Sequence, residues 1–336
     1  MSGYRKRIGF ILAVMALILT QSSCGPKAAD AHEDSRQEAS VKILATIFPE
    51  YDWVREILGE QAANVQVDLL VDSGADLHSY QPSVKDIMDI ASCDLFIYVG
   101  GESDSWVQET LKQTDRPGRE VISLLEVLGD AAKEEETVEG MEPHEENENQ
   151  GTEPSHGPEY DEHVWLSLKN AGIFCGAIAE KLAEIDPDHG ETYRENAKSY
   201  QGKLSRLDRQ YQEAVDEASQ KVILFGDRFP FRYLVDDYGL SYYAAFAGCS
   251  AESEVSFQTV AFLAEKADEK GLSSILVIKG GDQKIAETIC QNTRSGNQKI
   301  LVMDSLQSTT GEEIQQGAAY LSIMENNLNV LKAALE

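Results

Sequence analysis

The chain has 336 residues, with 29 basic and 58 acidic side chains and a formal charge of −29. A surface this negative repels nucleic acid and anionic lipid headgroups, which excludes DNA, RNA and an electrostatically bound membrane as partners. With 42% apolar residues, the stretch from Val41 to the C-terminus is long enough for two lobes with separate cores.

The N-terminus is a targeting segment rather than part of the fold. Arg5, Lys6 and Arg7 precede an apolar run from Ile8 to Leu19, and Ser22 and Ser23 lead into Cys24. Residues 1–23 therefore read as a secretory signal, too short to span a bilayer. The segment resembles a bacterial lipoprotein signal. That resemblance implies a lipidated Cys24 as first mature residue and an extracytoplasmic protein anchored to the bacterial cell membrane. Loss of the three basic residues would take the charge to −32. Residues 24–40 are polar without apolar period and read as a flexible tether.

From Val41 the pattern becomes strand–helix alternation. Residues 41–60 read as strand, short turn and amphipathic helix, and residues 65–71 as a second strand. In 82–93, Ile87, Ile90 and Ala91 fall at helical spacing. Residues 94–101, "DLFIYVGG", suit a buried parallel strand, and 120–128 continue the alternation. Residues 132–162 break it. They are rich in Glu, Gly and Pro and read as a mobile acidic loop carrying His144 and His156. A helix follows and stops before Pro187, closing an N-terminal lobe at residue 188. In 189–219, Tyr193, Ala197, Tyr200, Leu204, Leu207, Tyr211 and Val215 recur at alternating four and three residues. This predicts one long linker helix with a single apolar stripe. Residues 220–336 repeat the alternation as a C-terminal lobe. The expected fold is α/β, with two Rossmann-like lobes of parallel or mixed sheet flanked by helices and joined by the linker helix.

Beyond Cys24 the cysteines are Cys93, Cys175, Cys249 and Cys290. No CxxC pair exists, which argues against a thiolate zinc knuckle or a thioredoxin-type site. Outside the cytoplasm a disulfide is open to them, with no pairing specified. His78 stands alone in the turn "GADLHSYQP", between a strand and a helix. That is where a crevice forms in an open α/β sheet.

Four stretches resemble the zinc- and manganese-binding lipoproteins of bacterial ABC importers. They are "ILATIFPEYDWVREILG", "GADLHSYQPSVKDIMDIASCDLFIYVG", "DEHVWLSLKNA" and "KILVMDSL". The carrying motifs are a Gly-x-x-x-His-x-Tyr-x-Pro turn, a second His before Val-Trp-Leu and an Asp near the end of a late strand. The resemblance implies two lobes facing across a cleft, a long connecting helix and one metal ion between the lobes. It implies His78, His163 and Asp304 as metal ligands. Two imidazoles and a carboxylate suit Zn²⁺, while Mn²⁺ prefers more oxygen.

The family's third ligand aligns with Arg228, and a guanidinium cannot coordinate a metal. Three alternatives stand. Asp227 supplies an oxygen; Glu252 or Glu254 reaches in from the next loop; or Arg228 neutralises Asp304 and the site binds something else. Lys279 reads as an exposed lysine at a strand end, or as a carboxylate's partner beside the cleft. His144 and His156 read either as weak zinc collectors or as part of a solvated loop. The leading expectation is a monomeric binding protein that captures Zn²⁺ and delivers it to an ABC permease, with Mn²⁺ as the alternative cargo. A metal-dependent hydrolase using His78, His163 and Asp304 is a second expectation, although no HExxH or GxSxG motif is present. A surface adhesin with an altered site is a third.

Overall fold

A computed structural model describes residues 41–142, 159–250 and 254–336. The signal, the tether, Cys24, His144, His156 and Glu252 lie outside the described residues. The first lobe runs β1 (Val41–Ala45), α1 (Phe48–Leu58), β2 (Val65–Leu69), α2 (Val84–Ser92), β3 (Leu95–Tyr98), α3 (Ser105–Gln113), β4 (Glu120–Ser123) and α4 (Leu124–Leu128). Then α5 (Leu168–Ile185) and α6 (Gly190–Glu217) lead into the second lobe. That lobe contains β5 (Val222–Phe229), α7 (Arg232–Tyr238), β6 (Ser241–Ala247), α8 (Phe257–Lys270), β7 (Ser274–Ile278), α9 (Lys284–Asn292), β8 (Lys299–Met303), α10 (Gly311–Gln315) and α11 (Tyr320–Leu335).

Each lobe holds a four-stranded sheet, in the orders β2-β1-β3-β4 and β6-β5-β7-β8. All pairings between these strands are parallel, as in Ile43↔Leu95 and Leu276↔Leu301. Parallel strands covered on both faces need continuous apolar runs. Residues 95–98 and 274–278, "LFIY" and "SILVI", are buried throughout. The two lobes therefore repeat one topology, and their strands carry the candidate site residues at the carboxyl ends.

Helix α6 is 28 residues long, about 42 Å at the usual rise of ~1.5 Å per residue. All seven residues of its predicted stripe are buried. It packs on α1 and α5 at one end and on α7 and α11 at the other. Tyr211 Oη donates to the Met324 carbonyl at 2.6 Å, which ties α6 to α11. One continuous apolar cluster includes Trp53, Phe174 and Leu204 with Phe225, Met324 and Leu331, so a shared core spans both lobes beside a smaller cluster in each.

The flanks of the acidic segment are packed, where the sequence pattern extends a mobile loop over all of 132–162. Met141 is buried, Glu142 N donates to the Ala245 carbonyl and Asp161 N to the Lys133 carbonyl. Two apolar residues among many glutamates, Val138 and Met141, suffice to dock the flank on the core. Gly140, at φ +88°, lets the chain pass against the Phe262 ring, where a Cβ would collide.

Helix α1 is started by a buried carboxyl group. Glu50 Oε2 accepts from Thr46 N (2.8 Å), Thr46 Oγ1 (3.0 Å) and Ile47 N (3.2 Å), the half of a capping box in which the N3 carboxyl reaches back to the N-cap amide, since Ile47 has no side-chain acceptor for the other half. Oε1 has no hydrogen-bond partner. Burial, then the charge of Asp104, pushes the Glu50 carboxyl up from 4.5 to about 8. A carboxyl raised in the folded state gives stability that is present in acid and lost as pH rises towards the folded value. Unfolding free energy should therefore fall by a few kcal/mol, on the order of 3, between pH 5 and pH 8. Glu50→Gln keeps the accepting oxygen and should flatten that slope in urea titrations; an unchanged slope contradicts the assignment.

Candidate metal site

Each imidazole is fixed by the backbone around it and by a partner on Nδ1. His78 lies in a single 3-10 turn, Leu77–Ser79, opened by Asp76, whose Oδ1 accepts from His78 N at 3.1 Å. Leu77 is buried and anchors the turn. His78 Nδ1 lies 2.7 Å from Ser103 Oγ and 3.3 Å from Glu162 Oε2. Ser103 follows the glycine pair that ends β3. Gly101, at φ +81°, leaves the space that the Glu162 side chain fills. Glu162 is almost fully buried, and its carboxyl feels the burial penalty most. Hydrogen bonds from His78 and Ser103 outweigh that penalty and hold it below its ordinary value.

His163 is fully buried at the start of the "HVWL" turn. Asp161 Oδ1 accepts from its backbone N at 2.8 Å and lies 3.1 Å from its Nδ1. The turn is braced by the second lobe. Trp165 Nε1 donates to the Ser305 carbonyl at 2.8 Å, and Tyr233 Oη donates to the Asp161 carbonyl at 3.0 Å. Gly248, after β6, abuts the ring: a Cβ there would stand 3.0 Å from His163 Cε1 and 2.8 Å from the Phe229 carbonyl.

With both Nδ1 atoms facing carboxylates or hydroxyl, the Nε2 atoms turn to each other at 3.2 Å. A carboxylate or carbonyl partner on one ring nitrogen fixes the tautomer and frees the other for a metal. Among the described residues, the group whose donor atoms all lie within 4.8 Å of one another is His78, His163 and Cys249. Cys249 follows Gly248 in the turn after β6, and its backbone N donates to Glu135 Oε1 at 3.2 Å. Burial, then Asp161, Glu135 and Glu162, keeps its thiol well above the usual value.

The carboxylates expected at the site are placed differently. Asp304 follows β8, but its Oδ2 lies 3.1 Å from Lys279 Nζ and its Oδ1 accepts from Leu306 N at 2.8 Å. Asp227 Oδ1 accepts from Arg228 N at 2.8 Å, and Oδ2 from Ile278 N at 3.1 Å. Glu254 is exposed. All three lie outside the imidazole–thiol group. Arg228 pairs not with Asp304 but with Asp76, at 2.7 Å. Lys279 is not a bare strand-end lysine, since it also meets Glu313 at 2.6 Å.

His78 lines two cavities. One, about 400 Å³, is lined with Cys249, Glu102, Glu135, Glu159 and Glu162. The other, about 500 Å³, carries Asp76, Arg228, Asp227 and Lys279. The first side is acidic, while on the other Arg228 and Lys279 are already paired with Asp76 and Asp304. Sequence reasoning read Cys249 only as a disulfide candidate and missed Ser103, Asp161 and Glu162. The cysteines among the described residues are all unbridged. The available signal was position: Gly248-Cys249 and Gly100 to Ser103 each follow a parallel strand at its carboxyl end.

Two parallel-sheet lobes on one spine helix, with His78 and His163 of the first lobe facing Cys249 of the second, have the architecture of a cleft-type binding protein. The chain belongs to the family described as zinc-uptake complex component A periplasmic, whose profile matches residues 43–334. It is 30% identical over 327 residues to the zinc-binding lipoprotein AdcA of Streptococcus pneumoniae serotype 4, covering 97% of this chain and 60% of that one. It is 29% identical over 331 residues to the high-affinity zinc uptake system protein ZnuA of Bacillus subtilis, covering 98% of both. Its fold matches the Zn(II)-bound ZnuA-like domain of S. pneumoniae AdcA with a TM-score of 0.67 and 29% identity, over 88% of this chain and 98% of that domain. The chain thus spans about 60% of the AdcA sequence.

Arg228 and Gln307 of the second lobe both hold Asp76, the residue that opens the His78 turn. Burial would raise the Asp76 carboxyl, and the Arg228 charge brings it below its ordinary value. Arg228→Met should cost about 1–2 kcal/mol of unfolding free energy at neutral pH, read by urea denaturation of the metal-free protein. An unchanged midpoint would mean that the pair does not brace the lobes.

Proposed function

We propose that the protein captures Zn²⁺ in the cleft, at His78 and His163, and hands it to the permease of an ABC importer. It is a binding protein rather than an enzyme, and works as a monomer outside the cytoplasm. A lipid on Cys24 would hold it to the membrane. No helix among the described residues is long and apolar enough to cross a membrane. The observation that carries the reading is the 3.2 Å separation of two inward-facing Nε2 atoms. Two Zn–N bonds of ~2.0–2.1 Å at the tetrahedral angle put the nitrogens about 3.3 Å apart. With each Nδ1 hydrogen on its carboxylate or hydroxyl partner, both Nε2 atoms present lone pairs at that spacing, which a metal ion or a shared proton would satisfy.

Family membership supports an uptake role, as do relatives named for zinc binding and zinc uptake. Zinc is favoured over manganese because Asp304 and Asp227 direct their oxygens to other partners, leaving a nitrogen-rich set. The shared core and the α6 spine favour small adjustments of the lobes over wide hinge opening. Release would then need the permease to disturb the register of the two lobes.

Competitive titration of the metal-free protein with Zn²⁺ should give one saturable site, abolished by His78→Ala. Glu162→Gln, which leaves the imidazole in place but weakens its support, should lower zinc affinity about 10–100-fold. Undiminished zinc binding by His78→Ala would exclude this site.

A further inference from the structure

We infer that Cys249 is the third protein donor to the captured ion, so that the site is a two-imidazole, one-thiolate set rather than one completed by a second-lobe carboxylate. The inference rests on the zinc-capture reading above and specifies its ligands. Three observations carry it. First, the Cys249 Sγ lies within 4.8 Å of ring nitrogens of both His78 and His163. A tetrahedral ion with Zn–S of ~2.3 Å and Zn–N of ~2.0–2.1 Å needs S···N of about 3.5 Å, so closing the set takes at most about 1.3 Å of movement. Second, the backbone is shaped for that approach. Gly248 brings the end of β6 against the His163 ring, where any side chain would stand too close, and Cys249 is the next residue. Third, the carboxylates that could compete are engaged elsewhere, Asp304 by Lys279 and Asp227 by two backbone amides.

The charge pattern agrees. Glutamates line the cavity on the Cys249 side, whereas Arg228 and Lys279 stand on the other. The second lobe thus supplies its donor from the turn after β6, not from the strand ends of β5 and β8. Binding exchanges the thiol proton for the ion: a Zn–S bond forms, the S–H bond breaks, and the proton leaves to water with no redox change. A thiolate among imidazoles discriminates against manganese, which prefers oxygen donors, and admits other thiophilic ions such as Cd²⁺.

The test is the absorption spectrum of the protein loaded with Co²⁺ under reducing conditions, beside Zn²⁺ and Mn²⁺ titrations. The wild type should show a thiolate-to-cobalt charge-transfer band in the near ultraviolet with tetrahedral visible bands. Cys249→Ser should lose the charge-transfer band and weaken zinc binding at least about tenfold, while Cys290→Ala should keep both. The wild-type spectrum does not depend on how well any variant folds. Stoichiometric Zn²⁺ and Co²⁺ binding without a thiolate band would overturn the Cys249 assignment and leave zinc capture standing. Failure of the wild type to bind either ion would overturn both.

Discussion

Two imidazole nitrogens of the first lobe are held at 3.2 Å where the second lobe packs against them, and much of the local structure keeps them there. With both Nδ1 hydrogens turned to their partners, two acceptor lone pairs at that distance would otherwise turn away. They cannot, because Asp161 holds one ring from behind and Ser103 with Glu162 holds the other. Those partners are fixed in turn. Glu162 fits beside Gly101, and the turn carrying Asp161 and His163 is tied to Tyr233 and Ser305 of the second lobe. Preorganisation of this kind is what a tight ion site requires, since little ordering cost remains for binding.

Cations beside a proposed cation site look contradictory until their partners are counted. Arg228 neutralises Asp76, and Lys279 meets Asp304 and Glu313. Each positive charge is spent on a carboxylate that would otherwise face the cleft. Asp304 and Asp227, expected as oxygen donors, are held within the second lobe by Lys279 and by two backbone amides, while Arg228 and Gln307 reach across to Asp76 of the first. Arg228 reaches Asp76, which opens the turn that carries His78, and so helps to position that imidazole. The net negative field remains on the side where Glu135, Glu159 and Glu162 surround the entry to the imidazoles.

Much of this was readable in the sequence. Strand–helix alternation and buried apolar runs indicated two α/β lobes, and the four-three spacing from Tyr193 to Val215 marked the spine helix. His78 and His163 stood out by their motifs. Cys249 did not, because nothing in "AFAGCSAESE" distinguishes a donor from a packed thiol until Gly248 is seen against His163. The partners of Arg228 and Lys279 were also hidden, since Asp76 and Glu313 are distant in the chain and only the tertiary fold brings them near. Packing of Val138 and Met141 escaped notice because two apolar residues in an acidic stretch carry no periodicity.

A core shared by α1, α5, α6 and α11 makes the two lobes one mechanical unit, so the ion must be met by a site that is already nearly closed. The most direct test is a zinc-edge anomalous diffraction map of the zinc-loaded protein. The account predicts a single strong peak between His78 Nε2 and His163 Nε2. A peak beside Asp304 and Asp227, with the imidazoles left facing each other, would contradict it.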